Sequence, residues 1–150
     1  EAAGTTFVAM AESDFIYPRQ YFQITPERTD VACLAVPVWT LFAIRGKIKA
    51  YALKYNGGEG AMVVGRQCLL DAIERTLEGR EQWASNPSGG GRCKYPFNIA
   101  KSMYVTLEVP CISFKTSNNM HPRTPYRRST VVRELPHYGT ATNLIARYCG

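Results

Sequence analysis

Several things are missing from this 150-residue chain, and each absence removes a class of function. It has two histidines, His121 and His137, and no two of its five cysteines form a CxxC pair, so zinc sites built on close ligand pairs are excluded. No apolar run nears the roughly 20 residues needed to span a bilayer as a helix. The longest, Val31 to Ile44, is broken by Pro37 and Thr40. No Gly-Lys-Ser/Thr follows the glycine run 89–91, so that run is not a Walker loop, and no serine sits in a G-x-S-x-G elbow. Asn86 precedes Pro87, which leaves no N-x-S/T sequon. Nothing points to a metal or another cofactor.

What is present describes one domain, residues 1–150. The length is enough to bury about two-thirds of the unfolded surface, and the hydrophobic and charged fractions are those of a globular protein. The net charge of +6 favours polyanionic partners such as nucleic acid, although the same charge also simply keeps a protein soluble. Cys33, Cys68, Cys93, Cys111 and Cys149 are widely scattered, as long-loop disulfides in an oxidising compartment would be. An odd count leaves at least one thiol unpaired, and buried free thiols in a cytosolic protein are the alternative. Glu1-Ala2-Ala3-Gly4 does not look like a signal peptide, and the expectation is a leader or tag already removed.

Residues 1–30 carry turn signals at Tyr17-Pro18 and Thr25-Pro26. Val31–Ile44 reads as a buried strand or strand pair, and Lys47–Tyr55 as a strand left through Asn56-Gly57-Gly58. Its alternation sets Lys47, Lys49, Tyr51, Leu53 and Tyr55 on one face. Gln67–Glu78 is a helix, with Leu69, Leu70, Ile73 and Leu77 at helical spacing and Asp71–Arg75 as an outer i,i+4 pair. Met103–Val109 alternates, with Tyr104, Thr106 and Glu108 on its polar face. Ser129–Arg133 and Leu144–Cys149 read as two further short strands. One helix with several antiparallel strands makes the class α+β, one sheet face covered by the helix. Two segments echo one another: Tyr17-Pro18 leads to Leu34-Ala35-Val36-Pro37, and Tyr95-Pro96 to Leu107-Glu108-Val109-Pro110.

RNA cleavage by transphosphorylation needs a base for the 2'-hydroxyl, an acid for the leaving oxygen and a cation at the phosphorane. Glu108, His137 and Arg127 or Arg128 are of those types, in the C-terminal half. For binding alone, Lys47, Lys49, Arg123 and Arg128 suit phosphates, and Tyr51, Tyr55, Tyr95 and Tyr104 suit base stacking. Each also has an ordinary reading, as an exposed strand carboxylate, a surface histidine or a solvated arginine.

From about Tyr51 onward, the order of features resembles the small microbial ribonuclease family in its fungal guanyl-specific, barnase-like branch. The helix leads through the glycine loop to Arg92-Cys93-Lys94-Tyr95-Pro96. Then follow Leu107-Glu108-Val109-Pro110, Tyr126-Arg127-Arg128-Ser129-Thr130, His137-Tyr138-Gly139 and Cys149. The resemblance implies Glu108 as base, Arg127 as phosphate ligand, His137 as acid and Tyr95 as a phosphate-side hydroxyl. It also implies a ribonuclease-like core at 51–150 with a β-rich extension at 1–50. Phe97 stands where the fungal enzymes carry a histidine, and the interval from Arg127 to His137 is shorter than theirs. Those departures resemble the ribonuclease-like secreted effectors of powdery mildew fungi, which have generally lost catalytic residues. The expectation is therefore a secreted effector, delivered into a host cell, that binds RNA or a host protein without efficient cleavage. An active endoribonuclease and a basic secreted binding or toxin subunit of another fold are the alternatives.

Overall fold

The computed structural model describes residues 4–44, 47–54, 59–77, 99, 101–115 and 130–149. Two short strands, β1 (Phe7–Ala9) and β2 (Phe15–Ile16), precede a 3₁₀ turn at Arg19–Gln23. β3 (Ala32–Ile44), β4 (Lys47–Lys54) and β5 (Met62–Gly65) follow, then helix α1 (Arg66–Leu77) and the long β6 (Ser102–Lys115). The chain closes with β7 (Val131–Val132), β8 (Glu134–Leu135), β9 (Gly139–Thr140) and helix α2 (Ala141–Cys149).

The apolar run of the sequence is one 13-residue strand, β3, at the centre of the sheet. Ala35, Val38 and Leu41 on it are wholly buried. Along one edge β3 pairs antiparallel with β5 at Cys33–Leu34 and with β4 from Val38 to Ile44. Along the other it runs parallel to β6, from Ala32 beside Ser102 to Phe42 beside Lys115. β1 extends the sheet beyond β5, β7 beyond β4, and β2 covers β6 at Ile112–Ser113. The α+β class holds. The sheet is antiparallel except for its central pair, which is parallel.

Alternation along β3, offset by one residue at the Pro37 irregularity, splits the core into separate clusters. Cys33, Ala35 and Val38 join Tyr21, Leu107 and Cys111 beneath the N-terminal segment, where Phe7, Phe15, Tyr17 and Ile24 pack on them. Leu41 joins Tyr51 and Ile112 beneath α2, which contributes Ala141 and Leu144. Ala32, Met62 and Val64 meet Leu69 and Ile73 of α1. Thr40 and Ser113, buried on adjacent strands, satisfy each other through a 2.9 Å hydroxyl–hydroxyl hydrogen bond. Gly65 lets β5 pass Thr29, since a Cβ there would lie 2.0 Å from the Thr29 carbonyl oxygen.

Three expectations change. Leu144–Cys149 is helical, so the described residues form two α-helices and not one. Ala141, Leu144 and Ile145 recur at helical spacing, and Thr140 Oγ1 accepts from Asn143 N at 3.2 Å as an N-cap. Before it, Gly139 takes φ +68°, a left-handed conformation open to glycine. Residues 1–50 are no added segment, because β3 within them is the sheet's centre. Asp71 accepts from Gln67 Nε2 at 2.7 Å instead of pairing with Arg75.

Candidate functional site

β6 carries the most open surface of the described sheet. Its expected alternation is present: Tyr104, Thr106 and Glu108 are exposed, Val105 is half-buried and Leu107 is buried against Tyr21 and Cys33. Met103 departs from it, at 48% exposure, although it is in register with buried Cys33 on β3. The parallel register with β3 then jumps. Val36 pairs with Thr106 but Val38 with Cys111, so Leu107–Pro110 bulge away from β3. Pro37 and Pro110 both sit at the jump, and neither has an N–H to give the ladder; the Val36–Pro37 peptide is cis. Of the two Leu-x-Val-Pro segments of the sequence echo, the first pairs with Tyr104–Thr106 and the second is the bulge itself, so only their prolines meet, at the jump. Beyond their prolines the strands pair at the same 73-residue offset that separates Thr40 from Ser113.

The bulge is held from both sheet faces. Val109 N donates to Gln20 Oε1 at 3.5 Å, from the 3₁₀ turn. Tyr138 Oη donates to Pro110 O at 2.8 Å, from the turn between β8 and β9. That second bond brings the turn bearing His137 to the segment bearing Glu108, and both side chains are exposed. On the Gln20 side, Tyr17 and Tyr21 stack with centroids 4.7 Å apart, and Phe22 meets Tyr21 edge-on at 5.0 Å. Tyr17 Oη accepts from Glu12 N at 2.8 Å and donates to Gly60 O, and burial pushes its hydroxyl up to about 12. Phe22 is 59% exposed. Nothing in its sequence neighbourhood marked it, because its exposure follows from where the 3₁₀ turn lies on the sheet.

Of the residues singled out from sequence, Glu108, His137 and Tyr104 lie in or beside this region. Tyr55, Tyr95, Arg123, Arg127 and Arg128 fall outside the described residues, as do the side chains of Lys47 and Lys49 on β4. Tyr51 is a correction: it is completely buried in the cluster that holds Leu41 and Ile112 and has no face for a base. Its strand is covered on both sides, which alternation within one strand could not reveal. Cys33, Cys68 and Cys111 are free thiols; Cys93 and the Cys149 side chain lie outside the described residues. Burial pushes the Cys33 thiol up, and that of Cys111 up to about 12.

An open cavity of about 340 Å³ lies at the start of α1, lined by Thr29, Asp30, Gln67, Cys68, Asp71 and Arg75. Its carboxylates are already engaged: Asp30 with Arg28 at 2.7 Å and Lys101 at 3.2 Å, Asp71 with Gln67. Hydrogen bonds from Arg28, then from Lys101, hold the Asp30 carboxyl well below the usual carboxylate range. Among the described residues no group of three or more His, Cys, Asp or Glu could hold a metal, and no helix is long and apolar enough to cross a membrane. Compared with protein-family models, with curated proteins and with solved structures, the chain matches none.

Proposed function

We propose that this chain is a ribonuclease-like secreted effector that acts by binding single-stranded RNA, without efficient cleavage. The observation that supports this reading is the open strip Tyr104–Thr106–Glu108 on β6. It offers a ring 58% exposed beside hydroxyl and carboxylate groups, in a chain of net charge +6. A base stacked on such a ring contributes about 1–3 kcal/mol, while basic side chains neutralise phosphates. Glu108 and His137 are open to water, which favours binding over turnover, because water screens charge developing in a transition state. The Tyr138–Pro110 hydrogen bond favours a second reading, an endoribonuclease with Glu108 as base and His137 as acid, since it ties their segments together.

The test is retention of a short labelled single-stranded RNA across a salt series. The expected result is retention that falls log-linearly with salt. Tyr104→Ala should lose affinity by roughly 5- to 100-fold, Glu108→Gln should retain it, and neither protein should cleave. Unchanged retention in Tyr104→Ala would remove the strip from the site. Cleavage to 2',3'-cyclic ends that disappears in Glu108→Gln would establish the endoribonuclease instead. RNA neither held nor cut would sink both readings and point to a protein partner.

A further inference from the structure

We propose that the cavity at the start of α1 binds a small zwitterion of the α-amino-acid class, its carboxylate on Arg75 and its ammonium on Asp71. Asp71 and Arg75 stand four residues apart on α1, the spacing at which an acid and a base ordinarily pair across one helix face. Here the pair is open. Gln67 Nε2 donates to Asp71 Oδ1 at 2.7 Å, and among the described residues neither Asp71 Oδ2 nor the Arg75 guanidinium has a partner. Both side chains line the open cavity of about 340 Å³, together with Thr29, Asp30, Gln67 and Cys68. At this spacing two Cβ atoms lie roughly 5–6 Å apart, so one small molecule reaches both side chains. An exposed pair of this kind contributes little to stability, and holding it open costs the fold correspondingly little.

The charges around the cavity select the ligand. Both oxygens of Asp30 are taken. Arg28 Nε donates to Oδ1 at 2.8 Å, Arg28 Nη2 to Oδ2 at 2.7 Å, and Lys101 Nζ to Oδ2 at 3.2 Å. Asp71 is therefore the carboxylate left for a cation, and Arg75 the cation left for an anion. A simple anion on Arg75 would sit beside Asp71, and a simple cation on Asp71 would sit beside Arg75. Each would meet a charge of its own sign. A molecule that carries both charges a few ångströms apart meets neither conflict, and an α-amino acid holds them on one carbon. Its carboxylate matches the planar guanidinium fork through two parallel hydrogen bonds, while its ammonium donates to Asp71 Oδ2. The volume is that of the smaller ligand pockets, which suits a molecule of this size. The ligand's own side chain then lies among Thr29, Gln67 and Cys68.

This site does not depend on the RNA reading, and its test uses the RNA-free chain. Each protein amino acid is offered singly, with saturation-transfer NMR reading contact. At least one should bind, and its N-acetyl amide, which keeps the side chain but lacks both charges, should not. The same amino acid should slow iodoacetamide modification of half-exposed Cys68, read by peptide mass spectrometry, which places it in this cavity. Arg75→Gln and Asp71→Asn should each weaken binding by roughly 10- to 100-fold. Both should keep the wild-type circular dichroism spectrum, because Arg75 has no partner to lose and an asparagine still accepts from Gln67. Propionate and propylamine, with one charge each, should bind far more weakly than the amino acid. Failure of every amino acid to bind overturns the proposal, as does binding that leaves Cys68 unprotected or survives both substitutions. Propionate or propylamine binding as tightly as the amino acid would overturn it too, since the cavity would then be a site for a single charge.

Discussion

Replacing Tyr21 by Phe and, separately, Tyr51 by Phe removes the same atom from two sites of equal burial, since both residues have zero exposure. The two hydroxyls differ in their partners. Tyr21 Oη donates to Met10 O and to Met62 O at 2.9 Å, whereas Tyr51 Oη is buried and has no hydrogen-bond partner among the described residues. A lost hydrogen bond that strands a buried partner costs about 1–3 kcal/mol. Met62 O keeps the Met10 N–H at 2.8 Å, so Tyr21→Phe should fall at the lower end, about 1–2 kcal/mol destabilising. Tyr51→Phe instead removes an uncompensated polar group, and after allowing for the small void left behind it should stabilise by about 1 kcal/mol. The variants should therefore differ by about 2–3 kcal/mol, or several degrees in Tm for a chain of this size. Urea unfolding at pH 7, with the slopes unchanged, measures both midpoints. Two shifts of the same sign within about 0.5 kcal/mol of each other would refute the assignment of the hydroxyl partners.

Two further outcomes follow from the electrostatics and the thiols. Arg28 and Lys101 hold the Asp30 carboxyl low, so its contribution is complete above the ordinary carboxylate range and is lost as pH falls through its folded value. Asp30→Asn should lower Tm slightly at pH 7, with the gap closing from about pH 4 downward; a gap that widens in acid would contradict the pairing. In native protein at pH 8, iodoacetamide should modify half-exposed Cys68 before buried Cys33 and Cys111, as read by peptide mass spectrometry. Equal labelling of the three would show that the two buried thiols are reached without unfolding.

The legible parts of the fold were those with strong local patterns. The Leu69–Leu70–Ile73–Leu77 stripe marked α1 within a residue at each end, and the Tyr104–Thr106–Glu108 alternation marked the strip that is open in the structure. Leu144–Cys149 misled because six residues with two apolar neighbours suit a strand as well as a helix turn. The spacing back to Ala141 and the Thr140 cap decided for the helix. Tyr51 misled for a different reason: period-two alternation says which residues share a face, not whether that face is covered. Their scatter along the chain makes Cys33 and Cys111 disulfide candidates, whereas each is a free thiol inside the core that surrounds Val38.

Local pattern in the sequence carries the class, the first helix, the extended apolar character of residues 31–44 and the face on which Glu108 lies, because each depends on neighbours a few residues apart. That 31–44 is one strand at the sheet's centre is a tertiary fact. Only the tertiary structure decided that β6 runs parallel to β3, that Leu107–Pro110 bulge out, and that Tyr138 ties the His137 turn to that bulge. Those relations join residues far apart in the chain. They depend on which edge of β3 each strand takes and on where two prolines interrupt the ladder, and no local pattern carries that choice.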